Sequence, residues 1–218
     1  HELAAGFLFT EGIIKNKAAI KEIKQSTADE NSVLIILQEN IQPTLSNAAR
    51  NFYSTSSCGI CGKASIESIR TISQYTEQKD QFIINAAVLY TLQAALKDHQ
   101  KVFEDTGGIH ACALFDVAGN IITLREDVGR HNALDKIVGA ALLNDELPLS
   151  NCVLLLSGRA SFELVQKAAM AGIKIIAAVG APSSLAVELA TETGITLIGF
   201  LRNDRFNIYS GKERISLR

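Results

Sequence analysis

VLLLSGRASFELVQKAAMAGIKIIAAVGAPSSLAVELATETGITLIGFL, residues 153–201, is the stretch on which the fold turns. Three apolar runs, 153–156, 173–179 and 196–201, alternate with two segments, 162–170 and 184–193, that carry helical patterning. A strand that is apolar at every position needs cover on both faces, and strands separated by helices run parallel. The stretch predicts a three-layer α/β domain with a mostly parallel sheet between helices.

Working outward, 109–115 and 121–125 are short strands around a turn containing Gly119-Asn120, the composition of a β-hairpin. Leu134, Ile137, Val138, Ala141 and Leu142 then fall at i, i+3, i+4, i+7 and i+8, predicting a helix over 130–143. A last strand at 206–209 fits a sheet edge. The N-terminal third mixes its signals: a helix over 2–11 closed by Gly12, β-rich runs at 20–23 and 33–37, and an interruption at Pro43. Residues 54–62 form a Ser/Thr/Gly/Cys cluster that reads as a surface loop, with helix resuming near Lys63. Asn85 is the expected N-cap of a helix reaching about Gln100, with Val88, Leu92, Ala95 and Leu96 on its apolar face, and this helix reads as a link between subdomains. The expected organisation is a small α+β part over 1–104 that carries the cysteine loop, followed by the α/β domain over 105–218.

Composition bounds the function classes. The 218 residues are 47% hydrophobic and 20% charged, ordinary for a globular chain with a sizeable core. A net charge of -2 and a pI near 6.1 argue against a surface built to neutralise many phosphates, so no nucleic-acid partner is expected. Four cysteines do not make a disulfide scaffold, no apolar run approaches the ~20 residues of a membrane span, and nothing resembles a secretory leader. A cytoplasmic, reducing location without membrane attachment is expected. Because the chain opens at His1 directly on a helical pattern, its N-terminus is expected to be incomplete.

The reactive group of greatest interest is the pair Cys58 and Cys61 in Ser56-Ser57-Cys58-Gly59-Ile60-Cys61-Gly62. C-x-x-C spacing lets one sulfur assist or resolve chemistry at the other, and a following helix N-terminus lowers thiol pKa. A packing role fits poorly among serines and glycines. Zinc needs four ligands; His110 and Cys112 share one strand face and could complete a set, yet they lie ~50 residues away with no repeat of the motif. A thioredoxin-like enzyme would carry its C-x-x-C directly after a core strand, whereas most α/β signal here lies downstream. Sulfur transfer therefore leads over disulfide exchange, with Cys58 the expected nucleophile.

Anion-binding elements cluster in the C-terminal half. Gly107-Gly108 precedes a strand, and Arg125-Glu126-Asp127-Val128-Gly129-Arg130-His131-Asn132 leads from strand into helix. Leu156-Ser157-Gly158-Arg159-Ala160-Ser161 and Val179-Gly180-Ala181-Pro182-Ser183-Ser184 repeat that arrangement. Strand-to-helix junctions offer free N–H groups, and ligands of open α/β sheets bind beyond the strands' carboxyl ends, although glycine and serine also serve plain turns and N-caps there. None matches G-x-G-x-x-G or a P-loop, so neither a Rossmann enzyme nor an ATPase is supported. His131 fits a hydrogen-bonding or phosphate-contacting role better than that of a general base. The tail 201–218 carries five basic residues against two acidic ones, and Arg202 and Arg205 flank a turn where they could grip a phosphate.

Three of these motifs occur together and in order: Ser57-Cys58-Gly59-Ile60-Cys61-Gly62, Thr106-Gly107-Gly108-Ile109-His110-Ala111, and the run from Arg125 to Asn132. In them the chain resembles the formate dehydrogenase accessory sulfurtransferase family, FdhD, over 1–209. The resemblance implies a carrier that takes sulfur from a cysteine desulfurase as a persulfide on the Cys58/Cys61 loop. It would pass that sulfur to the molybdenum (or tungsten) bis-molybdopterin guanine dinucleotide cofactor before insertion into apo formate dehydrogenase. It further implies a homodimer, a cytidine-deaminase-like large domain, and Phe200-Leu201-Arg202-Asn203-Asp204-Arg205 as the cofactor-binding stretch. Gly107, Gly108, Arg130, His131, Ser157, Gly158 and Arg159 are the further cofactor-binding candidates. Deaminases carry H-x-E and P-C-x-x-C; here those positions read His131-Asn132-Ala133 and Ser157-Gly158-Arg159-Ala160, which removes the glutamate and the zinc thiolates. Neither deaminase chemistry nor a bound zinc is expected.

Overall fold

A computed structural model describes residues 1–27, 29–43, 73–75, 82–100 and 108–217. The predicted core is present as a six-stranded sheet whose strands lie in the order β5-β4-β6-β7-β8-β9: Ile121–Asp127, His110–Phe115, Val153–Leu156, Ile175–Ala178, Thr196–Gly199 and Asn207–Ser210. The sheet is mixed. Parallel pairing is confined to β6–β7 and β7–β8, the pairs joined through helices, while β4–β5, β4–β6 and β8–β9 run antiparallel. Connection length explains the difference, since a hairpin turn reverses the chain and only a helical crossover returns it in the same direction. In the β4–β5 turn the Asp116 carboxylate accepts hydrogen bonds from the N–H groups of Ala118 and Asn120, and Gly119 takes the left-handed conformation, φ 85°.

Each sheet face has its own core. Cys112, Leu114, Leu154, Leu156, Ile176, Ala178 and Leu197 point to one side, where helices α1 (Glu2–Thr10), α3 (Arg130–Leu143), α4 (Phe162–Met170) and α5 (Ser184–Glu192) cover them. The alternate positions Ala111, Ala113, Phe115, Val153, Leu155, Ile175, Ala177 and Ile198 point the other way, onto Leu89, Leu92 and Leu96 of helix α2 (Ala86–His99). The Asn85 side chain caps α2 by accepting the Ala87 N–H at 2.8 Å, as its sequence position predicts. Read from sequence as a link, α2 instead lies over the sheet, because its leucine stripe matches the apolar second face. Its outer half is pinned by Tyr90, whose ring stacks at a tilt on Phe206 with centroids 5.3 Å apart. A two-residue parallel pair, β3 (Ile84–Asn85) with β10 (Ile215–Ser216), ties the start of α2 to the C-terminal end of the chain.

On the opposite side α1 lies against α3 at backbone distance. A Cβ on Gly6 would collide with the Asp135 carbonyl, and one on Gly139 with the Glu2 carbonyl. Arg125 locks the start of α1 by a two-pronged ion pair to Glu2, at 2.6 and 2.7 Å. Its end is fixed by the buried Lys167 ammonium, which donates to Thr10 Oγ1 at 2.9 Å, Glu11 Oε1 at 3.0 Å and Asp135 at 3.0 Å. Burial alone would lower the Lys167 pKa, but the charges of Asp135 and Glu11 outweigh it and raise it. The strands β1 (Ile20–Gln25) and β2 (Val33–Leu37) form a separate antiparallel hairpin.

Candidate functional site

Strands β5, β6, β7 and β8 all run in one direction, so their carboxyl ends and the amino end of β4 share one edge of the sheet. The three strand-to-helix junctions and the 200–205 turn therefore meet there, as the sequence predicts for a ligand-binding edge. What each junction does with its polar atoms differs.

At the β5–α3 junction, Asp127 organises the loop: its carboxylate accepts from the Gly129 N–H at 2.8 Å, Asn132 Nδ2 at 3.1 Å and Lys136 Nζ at 2.6 Å. Burial would raise the Asp127 pKa, but these hydrogen bonds outweigh it and hold the carboxyl below its usual range. The loop delivers His131, whose Nε2 lies 3.1 Å from Ser161 Oγ and 3.2 Å from Glu163 Oε2. Burial, reinforced by the charges of Arg130 and Lys167, lowers the His131 pKa to about 4. At neutral pH the ring is uncharged, so its 3.2 Å contact with Glu163 is not an ion pair. Serine and carboxylate both sit at the same ring nitrogen, so the trio does not have the geometry of a nucleophile–base–acid relay, which needs one partner on each nitrogen. His110, at the amino end of β4, is likewise pushed down by burial and by Arg130.

The β6–α4 junction extends the β4–β6 pairing by one residue. Ser157 donates its N–H to the Ala111 carbonyl at 3.0 Å and accepts the Ala111 N–H on Oγ at 2.9 Å. Gly158 packs beneath the His110 ring, where a Cβ would stand 3.4 Å from Nδ1. Arg159 is exposed and makes no hydrogen bond or ion pair to a described residue. The β7–α5 junction follows the plainer alternative. Ser183 caps α5 by accepting the Ala186 N–H at 3.2 Å, and the Gly180 N–H is spent on the Gly158 carbonyl at 2.8 Å.

The 200–205 turn completes the edge. Phe200 adopts a left-handed backbone, φ 54°, that reverses the chain and leaves its ring 42% exposed, while Leu201 drops fully into the core behind α2. Arg202 Nη1 donates to the carbonyls of Val179 at 2.8 Å and Leu201 at 2.7 Å, which braces the turn against β7. Arg205 makes no hydrogen bond or ion pair to a described residue through its side chain, and it lines a 320 Å³ cavity with Phe200, Arg202 and Asn207. An exposed aromatic ring beside guanidinium groups suits a stacked base with a phosphate next to it.

Two further cavities run along this edge under α2. One, of about 430 Å³, is lined by Gly108, Ile109, His110, Ser157 and Val179 on the sheet side and by Gln93, Leu96, Lys97 and Gln100 on the helix side. The other, of about 530 Å³, lies between Gln93, Ala94, Lys97 and Asp98 and the turn residues Arg202, Asn203, Asp204 and Arg205. The structure thus brings Gly108, Ser157 and the Arg202–Arg205 turn onto one cleft, with His131 and Arg130 at the neighbouring helix start. Cys58, Cys61 and Gly107 lie outside the described residues. The helix side of the cleft escaped the sequence reading: Gln93, Lys97 and Gln100 form a polar stripe at i, i+4 and i+7, but a stripe does not say what it faces. As for metal, Cys112 is sealed in the core with its thiol pKa raised by burial, and among the described residues no group of three His, Cys, Asp or Glu side chains is placed to hold an ion.

Comparison with known proteins sets the cleft in context. The chain is 50% identical to the "Sulfur carrier protein FdhD" of Mycolicibacterium paratuberculosis over 98% of its own length and 81% of that protein. It is 48% identical to the protein of the same name from Streptomyces coelicolor, across 99% of this chain and 79% of that one. Among solved structures, a putative formate dehydrogenase accessory protein from Desulfotalea psychrophila superposes with a TM-score of 0.72 at 26% identity, covering 99% of this chain and 79% of that one. The FdhD/NarQ family model matches residues 1–216, and on these grounds the chain belongs to the FdhD/NarQ family.

Proposed function

We propose that this protein is a sulfurtransferase that accepts sulfur from a cysteine desulfurase as a persulfide on Cys58. It then delivers that sulfur to the molybdenum (or tungsten) bis-molybdopterin guanine dinucleotide destined for apo formate dehydrogenase. The observation that carries this reading is half-identity, over nearly the whole chain, to a protein named a sulfur carrier. The chemistry of the chain supports it: a C-x-x-C sequence among serines and glycines supplies thiols, and the edge cleft offers cations and an exposed aromatic ring to a phosphate-bearing acceptor. The finer features of the reading are a cytoplasmic homodimer, a cytidine-deaminase-like domain without deaminase groups, and cofactor contacts from Gly107, Gly108, Arg130, His131, Ser157, Gly158, Arg159 and the 200–205 turn.

Loading is an exchange in which the Cys58 thiolate attacks the terminal sulfur of the donor's persulfide, forming one S–S bond while another breaks and the donor leaves as a thiolate. Delivery as sulfide needs two electrons. Cys61 supplies them by attacking Cys58 Sγ, releasing hydrosulfide toward the metal and leaving a Cys58–Cys61 disulfide for a dithiol reductant to reopen. The rival reading is a chaperone that only holds the dinucleotide. Incubation with a cysteine desulfurase and cysteine, followed by mass spectrometry of the intact protein, separates the two. The carrier gains the mass of one sulfur atom on the wild type and none on Cys58→Ala, whereas absence of any adduct on the wild type leaves only the chaperone.

A further inference from the structure

Among the described residues, the cavity under His110 and Ser157 and the cavity beside the Arg202–Arg205 turn have two lining residues in common, Gln93 and Lys97 of α2. These stand four residues apart, one above the other on a single helix face. The Lys97 ammonium is exposed and makes no hydrogen bond or ion pair with a described residue. Away from the cleft Lys136, Arg125 and Lys167 are spent on Asp127, Glu2 and Asp135, whereas Lys97 shares with Arg205, on the same cleft, the lack of a carboxylate partner among the described residues. Arg202 bonds carbonyls of both Val179, which lines the first cavity, and Leu201 in the turn, so the two cavities are also joined along their floor.

A dinucleotide carries its charge at the middle, in the diphosphate, with a ring system at each end. A cleft that accepts one along its length needs a cation where its two halves meet. We propose that Lys97 is that cation: it binds the diphosphate of the guanine nucleotide, with the Gln93 amide as a neutral second donor, and makes α2 the missing wall of the site. This rests on the reading of the edge cleft as the dinucleotide site. A bland role is available to the same residue, since a lysine in the last turn of a helix stabilises it through the helix dipole. The test must separate the two.

Binding of GDP and of GMP is measured by calorimetry on the full chain, wild type and Lys97→Ala, with Lys97→Arg and Arg205→Ala alongside. A diphosphate contact makes GDP bind about tenfold more tightly than GMP, the effect of one charge-assisted contact. Lys97→Ala brings that ratio close to one, and Lys97→Arg restores it. A merely structural lysine lowers both affinities in proportion and leaves the ratio where it was, which overturns the assignment. If the ratio is unchanged while Arg205→Ala weakens both nucleotides, the dinucleotide site stands and Lys97 alone is excluded. Binding of neither nucleotide by the folded wild type overturns both the assignment and the site.

Discussion

His131 shows how far a side chain's role depends on surroundings that no local motif reveals. Its place at a helix start suggests a hydrogen-bonding or phosphate-contacting role, and the structure half-buries it against Ser161 and Glu163 and surrounds it with the charges of Arg130 and Lys167. With a folded pKa of about 4 against an unfolded value near 6.5, the unfolded chain binds the extra proton first as pH falls. The contribution is fully present above about pH 6.5 and is lost as pH falls toward 4. Urea unfolding at about pH 7 and about pH 4.5 should show wild type losing roughly 2 kcal/mol more than His131→Asn between the two conditions. Equal losses would mean that the imidazole charges freely in the fold. The same neutrality leaves His131 a hydrogen-bonding group at neutral pH, and among the described residues the cations that line the cleft are Lys97, Arg202 and Arg205.

Much of the element plan was readable in the sequence. Helices α3 and α4 and strand β6 occupy the predicted residues, because their apolar periodicity is long and uninterrupted. Strand ends were less readable, since Ile173 and Leu201 are buried beyond the last ladder pair and so extend the apolar run without extending the strand. The positions of α1 and α2 were not readable, because amphipathicity says which side of a helix is apolar and not which surface receives it. For α1 the decisive contact is made by absent side chains: Gly6 and Gly139 let two backbones touch. Gly139→Ala should therefore cost about 3 kcal/mol or more and lower the melting temperature sharply, because the clash is with a carbonyl that cannot rotate away. A thermal unfolding curve superimposable on wild type would show that α1 can lift from α3 at no cost. Since Glu2 and Thr10 of α1 complete the Arg125 and Lys167 networks, that displacement would also loosen the junction carrying His131.

At the scale of the whole molecule, the sheet gathers on one edge groups that are far apart in sequence: α2 residues near 97, the start of β4, the junctions around 130 and 157, and the turn at 200–205. The sequence marks each junction separately, and the rule that ligands sit beyond the carboxyl ends of strands unites them. It could not place the helix wall, nor show that the 179–184 junction uses its serine and glycine for capping and packing. On the proposed function the cleft holds the acceptor and the C-x-x-C segment carries the sulfur. A sulfur chase tests most directly whether both serve one transfer. Wild-type protein is loaded with isotopically labelled sulfur, freed of desulfurase, and mixed with apo formate dehydrogenase, cofactor and a dithiol reductant. Label is expected to leave Cys58 and appear in the metal site of an active formate dehydrogenase, with no label passed by Cys58→Ala. Label that stays on the cysteine, or an enzyme that becomes equally active with unloaded Cys58→Ala protein, would contradict the proposed function.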